Sequence, residues 1–146
     1  MERHQHDAFS GEGARLFGGR WNHKGIPTVY LSQNLSLSAL EMFVRLTRKD
    51  IKIRFLCFKI ELPGSVKTEE IPVVDLPKDW QQQPPPESTK DIGTRWLKDG
   101  RSVLLRVPSV IIPQEFNYLL NPLHPDFKKI KVRKPALFSY TPTMWK

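Results

Sequence analysis

The 146-residue chain is poor in cysteine, with a single one at position 57. One thiol cannot build a disulfide framework or a cysteine-rich zinc site, and it points to a reducing compartment, the cytoplasm first. Long apolar runs are also missing. No stretch approaches the ~18–20 residues that a membrane span needs, and no charged n-region with an apolar h-region opens the chain. Acid is scarce against base, with 15 Asp+Glu to 23 Lys+Arg and a formal net charge of +8. Hydrophobic residues at 39% and charged residues at 26% still make a globular composition rather than a disordered one. About 150 residues is the usual size of one domain, so one domain over residues 1–146, free of membrane, is expected.

The surplus of base is unevenly placed. Residues 127–146 hold Lys128, Lys129, Lys131, Arg133, Lys134 and Lys146 and no acid, which is +6 of the +8. A nucleic-acid binder usually spreads its cations along a helix or interleaves them with stacking aromatics. Here Lys129, Lys131 and Arg133 alternate with Ile130 and Val132 at one end of the chain. That pattern predicts the solvated face of an edge strand, where lysine also discourages strand-to-strand aggregation. An acidic partner protein is the next reading, and direct nucleic-acid binding the weakest.

Glycine and proline set the organisation. Gly11, Gly13, Gly18, Gly19 and Gly25 are five of the eight glycines, so residues 10–26 read as an irregular loop whose backbone can approach a ligand closely. Thr28 to Ser32 reads as a short strand by its β-branched and aromatic content. Asn34 or Ser36 can cap a helix running to about Thr47, with Leu37, Leu40, Phe43 and Val44 as its apolar stripe. Ile51 to Leu62 reads as a long strand with a change of parity near Phe55 and Leu56. The run Gln81-Gln82-Gln83-Pro84-Pro85-Pro86 is an exposed loop, since three prolines continue neither a helix nor a central strand. Ser88 or Thr89 can cap a second helix carrying Ile92, Trp96 and Leu97 and ending at Gly100. Val103–Arg106 and Ser109–Ile112 read as strands broken by Pro108, Asn117–Pro122 as a turn or strand, and Phe127–Arg133 as the basic strand. The fold class is therefore α+β, a mixed sheet with a few short helices. The absence of a regular βαβ repeat argues against a dinucleotide-binding doubly wound sheet despite the glycines.

Gly18-Gly19-Arg20-Trp21-Asn22-His23-Lys24-Gly25 is the most informative segment. It sets a fixed cation beside a large flat ring, and a guanidinium binds phosphate through two parallel hydrogen bonds while a ring offers a stacking surface. The bland alternative is Arg20 stacked on Trp21 as surface packing. It is not a P-loop, because the Lys-Ser/Thr ending and the preceding strand are missing. Glu41 flanks the apolar stripe of its helix at the boundary of core and surface. Ser38-x-x-Glu41 also fits a capping box, and periodicity alone favours that or plain surface over a cleft. Cys57 reads as core, and Ser109, without a nucleophile-elbow sequence, as a strand-edge serine. His4 and His6 have no metal-ligand spacing to His23 or His124, so no metal is expected.

Several spaced segments together resemble the RES domain family. They are Gly11-Glu12-Gly13-Ala14-Arg15, Gly18-Gly19-Arg20-Trp21-Asn22, Val29-Tyr30, Leu40-Glu41, Val107-Pro108-Ser109, Asn117-Tyr118-Leu119-Leu120-Asn121-Pro122 and His124-Pro125-Asp126-Phe127. The likeness covers roughly residues 8–133, in the family's order. The Arg, Glu and Ser that give the family its name correspond to Arg20, Glu41 and Ser109. The resemblance implies an ADP-ribosyltransferase-like fold and a cytoplasmic bacterial toxin partnered by an Xre-like helix-turn-helix antitoxin. It also implies an enzyme with NAD as substrate, consumed by hydrolysis, by phosphorolysis with phosphate, or by ADP-ribosylation of a protein.

On that reading Glu41 is the catalytic carboxylate, stabilising oxocarbenium character at the ribose and orienting or deprotonating the nucleophile. Arg20 holds the pyrophosphate and Tyr30 packs against nicotinamide. Ser109 hydrogen-bonds the ribose or the nicotinamide amide, and Trp21 and Asn22 line the same pocket. One departure stands out. Members of the family open with a short strand bearing an aromatic–Arg pair, about ten residues before the point where this sequence begins. Either the chain starts further upstream or its sheet lacks that edge strand.

Overall fold

A computed structural model describes residues 7–144. The histidines at positions 4 and 6 and the opening of the chain lie outside the described residues. In chain order the elements are α1 (Glu12–Phe17), β1 (Val29–Ser32), α2 (Leu35–Phe43), β2 (Phe55–Cys57), β3 (Ile60–Glu61), β4 (Thr68–Glu70), α3 (Glu87–Asp99), β5 (Leu104–Pro108), β6 (Phe116–Leu120), β7 (Lys131–Val132) and β8 (Ala136–Phe138). Four strands form one sheet in the order β1-β6-β5-β4, with β4 parallel to β5 and the other pairs antiparallel. Two small antiparallel sheets, β2-β8 and β3-β7, complete an α+β fold with a mixed sheet and few helices. Among the described residues no helix is long and apolar enough to cross a membrane.

The register of the main sheet divides its residues between two faces, because successive side chains point to opposite sides. Leu104 stands opposite Leu120, and Leu105 opposite Leu119. Val29, Leu120 and Leu104 therefore line one face, where Val103 and Ile130 from outside the strands join their cluster. Leu105, Val107 and Leu119 pack on the other against Trp21, Trp80, Trp96 and Leu97. Tyr30 and Ser32 pair with Leu119 and Asn117, which puts Tyr30, Ser32 and Asn117 on the tryptophan face. That alternation aligns polar groups of β1 and β6 in one row at the edge of a buried core.

Helix α3 can lie close to the core only because position 93 has no side chain. A Cβ on Gly93 would stand 1.8 Å from the backbone carbonyl oxygen of Trp21. The helix ends at Gly100, which adopts φ 61°, as its position in the sequence predicts. Its indole at Trp96 donates to Ser102 Oγ at 2.8 Å, satisfying a buried N–H.

Several expectations are corrected. Residues 10–26 are not irregular throughout, since Glu12–Phe17 forms a helical turn and a half entered through Gly11. The long strand over 51–62 is three pieces: a 3₁₀ turn at Arg48–Lys52, then β2, then β3. It breaks because β2 pairs with β8 while β3 pairs with β7, so one straight strand cannot serve both. Ser109–Ile112 is a turn, because Pro108 closes β5 and Ser109 Oγ then takes the N–H groups of Ile111 and Ile112 in place of a strand partner. The basic strand shrinks to Lys131–Val132 behind a 3₁₀ turn at Pro125–Lys129. Ile130 is buried there as predicted, whereas Val132 is exposed.

The first strand is as expected, and α2 starts as its sequence predicts, with Asn34 Oδ1 accepting the Leu37 N–H at 2.8 Å. It ends earlier, at Phe43, and only Leu37 of its apolar stripe is buried, while Leu40 and Val44 remain exposed. The C-terminal segment explains this orientation. Tyr140 donates its hydroxyl to the Ala39 carbonyl and packs on Phe43, Phe55 and Phe138, so α2 is gripped on its Ala39–Phe43 side. Replacing Gly93 by Ala is expected to cost about 3 kcal/mol or more, since the added methyl meets backbone that cannot yield as a side chain would. Denaturant unfolding of the variant, with a fall in midpoint at unchanged slope, checks it.

Candidate active site

Helix α2 carries Glu41 to the end of the main sheet where β1, β5 and β6 expose polar groups. Glu41 is half-buried, and its Oε1 accepts two hydrogen bonds, from Ser109 Oγ at 2.8 Å and from Asn117 Nδ2 at 2.7 Å. Asn117 in turn accepts the Ser32 hydroxyl on Oδ1 at 2.7 Å. Among the described residues no hydrogen bond reaches Glu41 Oε2. The capping reading of Glu41 is excluded, since the helix begins six residues earlier, at Leu35, and Asn34 caps it.

Ser109 is fully buried. Its oxygen accepts the N–H groups of Ile111 and Ile112, both at 3.1 Å, which leaves the hydroxyl proton for Glu41. Ser109, expected to bond the ribose or the nicotinamide amide, here donates its hydroxyl to the carboxylate. A hydroxyl with every hydrogen-bonding position filled inside the protein has nothing left for a ligand.

Arg20 is held by the Gln-Pro loop. Its Nη1 donates to the carbonyls of Trp80 at 2.9 Å and Gln82 at 2.8 Å, while Trp80 itself is sunk in the core. Burial pushes the Arg20 guanidinium below its ordinary value, the Glu41 carboxylate and Tyr30 oppose that shift, and Arg45 adds to it. Arginine nonetheless stays charged throughout the accessible pH range. Arg20, Tyr30, Glu41 and Arg45 are therefore electrostatic neighbours. The backbone oxygens of Trp80 and Gln82, at the start of the low-complexity loop, orient the cation, and among the described residues no hydrogen bond reaches Nε or Nη2.

Tyr30 is anchored at its hydroxyl end. The phenol donates to Asn22 Oδ1 at 2.5 Å and accepts the Trp21 N–H at 3.1 Å. The ring remains about a third exposed, at 36% for the residue, whereas the oxygen is desolvated and its pKa is driven well above the usual phenol range. Gly19 makes the approach possible, because a Cβ there would lie 2.6 Å from the phenolic oxygen. Asn22 is fully buried and its Nδ2 reaches the carbonyls of Ala14, His23 and Ile26 at 2.9–3.2 Å. Trp21 is only 3% exposed and sits among the core tryptophans. Trp21 and Asn22, expected to line the ligand pocket, are both buried and line neither of the two cavities beside Tyr30. The ring belongs to the core and the amide to the loop, so they act on the site by fixing Tyr30.

Tyr30 also stands where two cavities meet, one of about 360 Å³ beside α1 and one of about 540 Å³ lined by Leu31, Cys57, Leu104 and Tyr118. Glu41 and Ser109 line neither. Sequence reasoning missed Asn117, Ser32 and Arg45. Pairing of Ser32 with Asn117 across β1 and β6 could have been suspected only once the register was known. It also missed a cluster at the other end of the glycine loop. His23 Nε2 lies 2.7 Å from Asp91 and its Nδ1 3.6 Å from Glu87, and the His23 N–H meets Thr94 Oγ1 at 2.9 Å. The donors of these three side chains lie within 4.8 Å of one another, and the arrangement braces the loop against α3.

Tyr30→Phe should cost about 2–4 kcal/mol, because it strands a buried amide oxygen and a buried N–H together. Below about pH 10 the phenol is neutral in the folded and unfolded chain alike. Above that, the unfolded chain releases a proton which the folded chain keeps, so stability falls as pH rises. Tyr30→Phe should flatten that alkaline loss, read by denaturant unfolding from pH 8 to 11.

The RES domain family model matches residues 1–141. A protein of Yersinia enterocolitica named Toxin Res is 37% identical over 145 residues, which span 99% of this chain and 95% of its own length. A Sphingobium protein named Prs ADP-ribosylating toxin is 39% identical over 140 residues, covering 94% of this chain and 87% of its own. Among solved structures, the Mycobacterium tuberculosis MbcT–MbcA toxin–antitoxin complex contains a chain with a TM-score of 0.71 at 20% identity, with 99% of this chain and 82% of that chain covered. That likeness supports the α+β fold, and the family match together with the two relatives establishes that the chain belongs to the RES domain family.

Proposed function

We propose that this chain is the toxin of a toxin–antitoxin pair and that it breaks the nicotinamide–ribose bond of NAD. The observation that supports the reading is the asymmetric tether of Glu41: Ser109 and Asn117 both hold Oε1, among the described residues no hydrogen bond reaches Oε2, and the carboxylate lies within electrostatic reach of the Arg20 cation. In the reaction the bond from ribose C1′ to the pyridinium nitrogen breaks, and its electron pair leaves with nicotinamide, neutralising the ring. Positive charge then develops at C1′ and on the ring oxygen, as in glycoside hydrolysis. A fixed carboxylate at that carbon stabilises the charge without reorganising and takes the proton of the incoming nucleophile. Arg20, preoriented by two loop carbonyls, grips the pyrophosphate and fixes the ribose relative to Glu41. Tyr30 offers its ring to the nicotinamide side while its hydroxyl stays engaged within the protein.

The nucleophile is water, phosphate or a protein side chain. The name of the Sphingobium relative, an ADP-ribosylating toxin, favours a protein acceptor as the second reading. The partner in either case is an antitoxin, which we assign to the Xre-like helix-turn-helix class. The basic end gives little support to nucleic-acid binding. Arg133 is committed to Glu61 through bonds of 2.8 and 2.9 Å, and Lys129 to Asp126 at 3.2 Å.

Glu41→Gln should lower nicotinamide release from NAD by about 10²-fold or more, within the range for losing a positioned acid–base group. Assays with and without phosphate separate phosphorolysis from hydrolysis. NAD labelled in its adenylate group separates both from transfer, since the label then joins macromolecules. No release by the wild-type protein under any of these conditions would overturn the reading.

A further inference from the structure

We propose that Asn117, oriented by Ser32, is a positioning residue that decides which oxygen of Glu41 reacts. The inference rests on the role given to Glu41 above, but its geometry is independent of the acceptor. A carboxylate donates no hydrogen bond, so the Asn117 atom 2.7 Å from Glu41 Oε1 is the amide nitrogen. The amide oxygen must then face Ser32, 2.7 Å away, and the Ser32 hydroxyl must donate to it. The polarity of the chain of bonds is thereby fixed, running from Ser32 through Asn117 to Glu41.

Ser109 delivers a second donor to the same oxygen at 2.8 Å. Two donors on Oε1 and none on Oε2 among the described residues remove the rotational equivalence of the carboxylate. Oε1 is occupied by two neutral donors that fix the carboxylate plane, and Oε2 is the oxygen left to meet the reacting carbon. Ser32 and Asn117 pair directly across β1 and β6, and Asn117 pairs with Val107 on its other side. The relay is thus built into a rigid ladder and not a loop. Asn117 stands partly exposed at the polar end of the sheet face that Leu119, Leu105 and Val107 line further in.

Asn117→Ala should lower kcat for nicotinamide release about tenfold or more while KM for NAD stays within about twofold, as expected when an interaction is made only in the transition state. Ser32→Ala should lower kcat less, and should add nothing in the Asn117→Ala background, because the hydroxyl works only through the amide. Ser32→Thr, which keeps the hydroxyl, should restore kcat, and it remains informative if Asn117→Ala fails to fold. A second readout does not use activity. In the side-chain amide spectrum of the ¹⁵N-labelled protein, the Asn117 proton bonded to Glu41 should move upfield in both Glu41→Gln and Ser32→Ala. A kcat unchanged in Asn117→Ala, a loss carried by KM, or an amide signal indifferent to both substitutions would overturn the proposal. If the wild-type protein releases no nicotinamide, the proposed reaction falls, and the amide spectrum decides the positioning by itself.

Discussion

The carboxylate of Glu41 is the point at which separately folded pieces of the chain meet. Helix α2 supplies it, the turn after β5 supplies Ser109, and β6 supplies Asn117 with Ser32 of β1 behind it. Charge-assisted hydrogen bonds of this length are roughly twice as strong as neutral ones, and stronger still away from bulk water. One oxygen of a half-buried carboxylate therefore ties a helix to β6 and to the turn after β5, and through Asn117 to β1. Both bonds fall on the same oxygen, and among the described residues no hydrogen bond reaches its twin, the oxygen to which the proposed function gives the chemistry.

A second knot lies on the same sheet face. Gly19 lets the Tyr30 hydroxyl reach the loop backbone, Asn22 accepts its proton, and the Asn22 amide gathers three carbonyls from α1 and the loop. Trp21 then enters the core with Trp80 and Trp96, and Gly93 clears the space for α3 against its carbonyl. Trp80 carries the loop whose carbonyls hold Arg20. Core packing and site geometry are thus the same contacts viewed from two sides. The part-exposed ring of Tyr30 and the guanidinium of Arg20 are the groups that the proposed function assigns to the ligand.

The charge of the chain plays a smaller part than its size suggests. The basic end is drawn partly into internal ion pairs, and exposed pairs of this kind contribute little to stability. Lys128, Lys131 and Lys134 remain exposed.

Much of this was legible in the residues. The strand ending at Ser32, the helix capped by Asn34, the stop at Gly100 and the α+β class follow from local propensity and capping chemistry, which act over a few residues. Spaced motifs singled out Arg20, Glu41 and Ser109 through their likeness to a family. What could not be read locally was what each of them touches. Trp21 and Asn22 looked like ligand groups and are interior, because burial depends on α3 arriving with a glycine at position 93. The strand expected over 51–62 broke, since its two halves found different partners. Asn117 and Ser32 passed unnoticed because their meeting is a matter of register between strands 85 residues apart. The sequence by itself determined the local elements and the chemistry available. Only the tertiary structure decided which oxygen of Glu41 is bound and which is free, since hydrogen bonds between distant segments form only once the sheet has aligned them.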